Sequence, residues 1–229
     1  LIWNSFPTSS DQPADIVLSA NRGMGTPRSI TTDGESFLII GDHNAQGQSS
    51  QSGNWLWTTF PTESEQPHDG FLTEEMPMGW MAGDVTSNGD LMMIGDGIHV
   101  WDGIPQSGTT APAYTINGDD WELRGGDGST IAVTGDTVYV SDYNTNRIIG
   151  FNQPTSGPNS TPDFVIGAPD IQTNTLKDNH FISNGIPLSL ESGGLLIGDG
   201  MNTRLLCWDE TPQSSGQNPD SVVDIQDEV

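Results

Sequence analysis

Carboxylates supply most of the chemistry this chain could do. Four of them recur in one setting, at the end of an apolar run: Asp42 after FLIIG, Asp96 after LMMIG, Asp142 after VYVS and Asp199 after LLIG. A ring of such groups could bind a cation. Each could instead accept bonds from turn N–H groups or pair with Arg147 or Arg204, and recurrence in every unit favours that structural use. Asp84 is different. When the repeated segments are aligned, its column reads Ser29, Asp84, Ala132 and Ser189. A carboxylate among small residues could ligate a cation or act as a general base. Arg28, just before Ser29, could pair with it, and that pairing would lower its pKa. Asp119-Asp120 and Asp127-Gly128 crowd oxygens near a turn. Calcium is the cofactor such oxygens would take, although no EF-hand or nonapeptide spacing is present. The metal candidates are therefore Asp84, Asp119 and Asp120.

Other chemistry is thinly supported. His43, His68, His99 and His180 occupy four different repeat positions, so they are not expected to converge on a metal. No nucleophile elbow, phosphate loop or dinucleotide fingerprint occurs. Adjacent pairs such as Glu74-Glu75 and Asp119-Asp120 need not face each other as catalytic carboxylates must. Trp80 and Trp121 fall in linkers that also carry Met24, Met76, Met78 and Phe181. Exposed, they would form a platform for a sugar or peptide; buried, they would plug gaps between structural units. The ligand-binding candidates are Trp80, Asp84, Trp121 and Arg28.

The elements that would hold these residues repeat. Five Pro-flanked segments follow an aromatic anchor: Trp3, Trp57, Trp101, Phe151 and Trp208, at spacings of 54, 44, 50 and 57. Between them stand the apolar runs that end in Asp. Before each run comes a short strand and a tight turn with Asp33-Gly34, Asn88-Gly89, Gly135-Asp136 or Gly193-Gly194, which is hairpin chemistry. After each Pro segment comes another short apolar strand. Each unit thus holds four strands, here called a to d, over roughly 50 residues, the pattern of propeller blades. The expected fold is all-β, a β-propeller of four-stranded antiparallel blades. Strands c and d of a half-blade fill 1–19. Full blades span about 20–73, 74–117, 118–167 and 168–229. A larger, six-bladed ring is the expected whole. Strands a and b for the half-blade would come from sequence outside these residues, before Leu1 or after Val229.

Within VYVSDYNTNRIIGF (138–151), an Asp is followed by a short turn, then Asn and Arg: Asp142, Asn146 and Arg147. Asp199, Asn202 and Arg204 repeat this with the Asn one residue earlier. Asp42 and Asn44 keep part of it, and Asp96 stands alone. These segments, with LIWNSFPTSSDQPADIVL and DFVIGAPDIQTNT, resemble the NHL repeats of bacterial and archaeal extracellular proteins. That resemblance implies a rigid binding disc, and relatives in the wider six-bladed class include metal-dependent lactonases and lyases. Their ligand set cannot be placed residue by residue here.

Charge narrows the partners. Six basic residues stand against 31 acidic ones, a net charge of −25. Such a field repels nucleic acid and anionic membrane surfaces. No apolar run approaches the roughly 20 residues of a membrane span. A single cysteine, Cys207, excludes an internal disulfide framework and reads as a small buried hydrophobe. The leading expectation is a non-enzymatic, extracellular, cell-surface or periplasmic module that binds a protein or glycan. The alternatives are a divalent-metal-dependent lactonase- or lyase-like enzyme and a purely structural segment of a large cell-surface protein.

Overall fold

The computed structural model describes residues 1–19, 23–48, 51–72, 81–125, 128–172, 185–190 and 192–225. Among these residues sixteen strands form four sheets. Blade 1 holds β1 (Pro27–Thr31), β2 (Leu38–Asp42), β3 (Gly53–Trp57) and β4 (Gly70–Leu72). Blade 2 holds β5 (Ala82–Val85), β6 (Leu91–Ile94), β7 (Ile98–Trp101) and β8 (Tyr114–Ile116). Blade 3 holds β9 (Ile131–Thr134), β10 (Thr137–Asp142), β11 (Arg147–Phe151) and β12 (Phe164–Ile166). Blade 4 holds β13 (Gly185–Ser189), β14 (Leu195–Asp199), β15 (Arg204–Trp208) and β16 (Ser221–Asp224). Within each sheet the strands pair antiparallel in chain order. The fold class is a β-propeller of four-stranded antiparallel blades. In 1–19 the ladder is a single antiparallel bridge, Ile2 to Ile16.

Local chemistry explains the hairpins. The a–b turns place Gly34, Gly89, Gly135 and Gly193 at positive φ, between 59° and 89°. A side chain is strained there and glycine is not. Trp57, Trp101, Phe151 and Trp208 each close the third strand of their blade. In β2, β6 and β10 every position is buried, the mark of a strand covered on both faces.

The chain divides into two compact units: Leu1–Trp80 with Ile104–Ala111, and Met81–Gly103 with Pro112–Val229. Unit 1 has a core of Met24, Leu38, Ile40, Trp55 and Trp57, with Ile2 and Leu18 packed against it. In unit 2, blades 2 and 3 share a core that includes Met92, Ile116, Ile131, Val138 and Phe151. Blades 3 and 4 share another, in which Tyr139, Ile148, Phe164 and Ile166 of blade 3 meet Leu195, Ile197, Leu206 and Trp208 of blade 4. Trp208 is wholly buried; burying an aromatic side chain of this kind contributes about 2–3 kcal/mol.

The Pro-flanked c–d loops are locked by their own side chains. Indole N–H groups of Trp3, Trp57 and Trp208 donate to the carbonyls of Gln12, Gln66 and Gln217, at 3.1–3.3 Å. Asp15, Asp69, Asp163 and Asp220 accept backbone N–H bonds from Asn4, Thr58, Asn152 and Asp209, at 2.7–2.8 Å. Blade 2 has Ala113 where the others have this Asp. The loops also latch the preceding outer strand. Ser64 Oγ accepts from Val17 N–H in unit 1, and Ser215 Oγ from Val165 N–H in unit 2, both at 3.0 Å. Such a latch covers a strand edge that would otherwise present unpaired backbone groups.

Candidate functional site

The Asp that ends strand b, or in blade 2 stands two residues past it, meets a side chain from strand c in every blade. In blade 1, Asp42 accepts from the Trp55 indole at 2.8 Å and from the N–H groups of Gly25, Thr26 and Asn44 at 2.7–3.0 Å. Burial pushes its pKa up, but the Trp55 bond and then those backbone bonds outweigh burial and leave it below the usual value. In blade 3, Asp142 takes Arg147 through Nε and a terminal nitrogen at 3.1 and 3.0 Å, and the N–H groups of Arg124 and Gly125 at 3.0 Å. In blade 4, Asp199 takes Arg204 Nε at 2.8 Å and the Asn202 amide at 2.9 Å. Asp42, Asp142 and Asp199 are completely buried. Blade 2 has no such Arg. Its β6 stops at Ile94, and Asp96 stays half exposed, 3.4 Å from His99 Nε2. The other nitrogen of His99 lies 3.1 Å from Thr115 Oγ1. Burial lowers the His99 pKa, against the pull of Asp96. These carboxylates hold turns and strand ends together.

The b–c turns show how the Asp–Asn–Arg pattern works. A 3-10 turn over Tyr143–Thr145 ends on Asn146, left-handed at φ 57°. Asparagine tolerates that conformation. In blade 4 the 3-10 turn over Gly200–Asn202 ends on Thr203 at φ 50°. There the Asn, one place earlier, uses its side chain on Asp199 instead.

Asp84 sits on β5, and its two oxygens accept N–H bonds from Val85 and from Val133 of β9, each at 2.8 Å. It stitches strand a of blade 2 to strand a of blade 3. Burial raises its pKa, against the two backbone bonds. That is the opposite of the lowering that an Arg28 ion pair would produce. Arg28 lies exposed on β1 in unit 1, on the wall of an apolar groove.

Trp121 corrects the platform expectation. It is 4% exposed and packs in the core shared by blades 2 and 3, with Ile94, Ile131 and Val138. A short 3-10 turn, Asp119–Trp121, entered from Gly118 at φ 65°, drives the indole inward. Its carbonyl accepts from Arg147 at 2.6 Å. Trp80, Met76, Met78, His180 and Phe181 lie outside the described residues, as does Asp127. Cys207, expected to be buried, is only half-buried on β15.

Asp119 and Asp120 do face solvent. They line a polar groove of about 320 Å³ with Thr115, Asn117, Asn159 and Ser160. One wall is the d–a linker of blade 2, and the other is the c–d loop of blade 3. A groove of about 230 Å³ lies at the same place between the blade 3 linker and the blade 4 loop, lined by Pro169, Gln217 and Asn218 among others. Asn117, Asn159 and Ser160 were not singled out from the sequence. Their signal lay in the repeat: each c–d loop packs beside the preceding outer strand. Among the described residues, no group of three or more His, Cys, Asp or Glu side chains is placed to hold a metal ion. Nor is any helix there long and apolar enough to cross a membrane.

No family model matches the chain, and no curated protein matches it. Among solved structures it is similar to a protein of unknown function from Bacteroides caccae, at 11% identity and a TM-score of 0.46, over 88% of this chain and 61% of that one. It is also similar to Kuenenia stuttgartiensis hydrazine synthase, at 16% identity and a TM-score of 0.48, over 94% and 52%. A third is apo AztD from Citrobacter koseri, at 10% identity and a TM-score of 0.40, over 89% and 48%. The chain thus spans 61% or less of the length of these three structures. Likeness at this level says nothing about activity.

Proposed function

We propose that this chain is a non-enzymatic, extracellular binding module that takes a neutral glycan on its polar rim. The observation that carries this reading is the groove lined by Asn117, Asp119, Asp120, Asn159 and Ser160. Amides, hydroxyls and carboxylates set side by side suit a ligand rich in hydroxyl groups. The groove at the equivalent place one blade further on has a more apolar lining, with Ile166, Ala168 and Pro169 beside Gln217 and Asn218, so the hydroxyl-binding set belongs to the groove between blades 2 and 3. Meanwhile Asp42, Asp84, Asp142 and Asp199 have their oxygens engaged by the fold, which leaves them poorly placed for acid–base work. The resemblance to NHL repeats and the net charge of −25 fit an extracellular setting.

A glycan array followed by calorimetry tests this. Saturable binding of a neutral oligosaccharide is expected, weakened at least tenfold by the Asp119→Ala, Asp120→Ala double variant. An array with no binder, or a binder indifferent to that variant, overturns it. Preferential capture of basic peptides in the same format would assign the groove to a protein partner instead.

A further inference from the structure

Within unit 1, beside the bridge between Ile2 and Ile16, lies an apolar groove of about 620 Å³. Leu1, Ile2 and Leu18 form one wall and Ile30, Leu38 and Ile40 the other. Leu1 is 72% and Ile30 65% exposed. Contiguous aliphatic surface of this kind marks an interaction site.

The chain's own repeat shows what shape fits there. Leu38 and Ile40 stand four and two residues before Asp42, as Leu195 and Ile197 do before Asp199. In blade 4 that pair is completely buried, and it packs in one cluster with Tyr139, Ile148, Phe164 and Ile166 of blade 3. Counting from the loop Asp, Ile16 and Leu18 match Phe164 and Ile166. The strand d contacts of that interface therefore have counterparts in unit 1. The groove lies where the counterpart of Tyr139, on a strand b, would stand. Backbone pairing agrees. Ile2 exchanges N–H and C=O bonds with Ile16. Leu1 and Trp3 on either side turn theirs to the opposite edge, because bonding alternates along a strand.

We infer that this groove docks a β-hairpin of the same a–b type, supplied by a polypeptide segment outside residues 1–229. In blade 1, Leu38, Ile39 and Ile40 oppose Trp57, Leu56 and Trp55. By that register the incoming second strand sets its Tyr139-like residue opposite Ile2, over Leu38 and Ile40. This inference does not depend on the rim groove.

The probe is a fluorescein-labelled synthetic peptide with the sequence of residues 129–142, whose second strand carries Tyr139. Its anisotropy is followed while the whole 229-residue chain is titrated at moderate salt, which screens the repulsion between acidic partners. A saturable rise is expected, at least tenfold weaker for the same peptide carrying Tyr139→Asp. Changing the peptide leaves the folding of the protein untouched. A protein carrying Ile40→Asp, checked by circular dichroism, should lose the same affinity. The inference is overturned by no saturable rise, or by equal binding of the Tyr139→Asp or scrambled peptide. It is also overturned if sedimentation shows the chain filling the groove with a second copy of itself, in a dimer that Ile40→Asp abolishes.

Discussion

Blades 3 and 4 carry nearly the same motif and end up in different physical states. β10 and β11 are buried at every position, and so is β12. In blade 4, β14 alternates buried and half-buried residues, β15 is buried only at Leu206 and Trp208, and β16 is exposed throughout. Both sets of central strands read as largely apolar runs bounded by the Asp–Arg pair. The difference lies in the neighbours. Blade 3 has blade 2 on one face and blade 4 on the other. Blade 4 presents Leu196, Leu205 and Cys207 half covered, and Ile186, Leu188 and Val223 are 44–57% exposed. A propeller strand's pattern states what both faces can tolerate, and only the stacking decides which face is dry.

Breaking the Asp–Arg pair should separate the two blades most. Arg147 is 2% exposed and its partner Asp142 is completely buried; the guanidinium also caps the carbonyls of Trp121, Glu122 and Ile171. Arg147→Ala leaves a buried carboxylate without its counter-charge, which costs about 3–5 kcal/mol. Arg204 is 23% exposed, and Asp199 keeps the Asn202 amide when Arg204 is cut back. Screening by solvent reduces the cost of Arg204→Ala to about 1 kcal/mol. Urea midpoints of the two variants measure the gap. Equal losses would show that burial does not set the strength of this motif.

A smaller effect comes from the volume exchanged across strands c and d. Gly150 pairs with Phe164 in blade 3, while Cys207 pairs with Ser221 in blade 4. A Cβ on Gly150 would lie 2.0 Å from the Phe164 ring. Gly150→Cys should therefore cost about 1–3 kcal/mol by overpacking. In a Phe164→Ser background the same change should cost much less, because blade 3 then holds the blade 4 pair. If chemical denaturation finds the same penalty in both backgrounds, the two pairs are not equivalent solutions to one packing problem.

How much of this was legible follows from the same contrast. Strand order, the aromatic anchors and the a–b turns could be read because each depends on its own segment: an apolar run, a closing Trp, a Gly with positive φ. The structural use of Asp142 and Asp199 could be read from the Arg five residues on. Trp121 could not be assigned, because a 3-10 turn of three residues decides whether its indole points inward or out. Asp84 looked available because its partner, the Val133 N–H, is a backbone group on another blade and leaves no mark in the sequence. Cys207 looked buried because its strand resembles β11, whose second face happens to be covered. The rim residues Asn117 and Asn159 come together only once blades stack, so each alone reads as an ordinary loop residue.

The turn between strands b and c allows a reciprocal test of about 1 kcal/mol. Thr203 is β-branched and left-handed at φ 50°, a costly combination, whereas Asn146 takes the same conformation at φ 57° with little strain. Thr203→Asn should stabilise blade 4 by roughly 1 kcal/mol, and Asn146→Thr should destabilise blade 3 by at least as much. Thermal melts of the two single variants should move in opposite directions. Movement in the same direction would mean that side-chain bonding, rather than backbone strain, governs the turn.

The subtlest contrast concerns the two sides of blade 3. Toward blade 2, strand a is stitched by the Asp84 carboxylate to Val133 N–H. Toward blade 4, hydroxyls do this work: Ser141 donates to the Gly185 carbonyl at 2.6 Å, and Thr134 reaches the Gly194 carbonyl at 3.5 Å. Only the first side should feel pH. Burial raises the pKa of Asp84 above its ordinary value of 3.8. The folded chain therefore holds this proton more tightly than the unfolded chain. The stability this adds is complete below the unfolded value and is lost as pH rises through the folded value. Asp84→Asn removes the titration while sparing one acceptor oxygen. Measured against that variant, the wild type should hold its largest margin at the acid end and give it up as pH climbs from the unfolded value of 3.8 through the raised folded value. Other carboxylates titrate in both proteins and cancel in the difference. A margin that instead widens with pH would mean that the bonds to Val85 and Val133, and not burial, dominate this carboxylate. The seam between blades 2 and 3 would then be an anion clamp rather than a dry stitch.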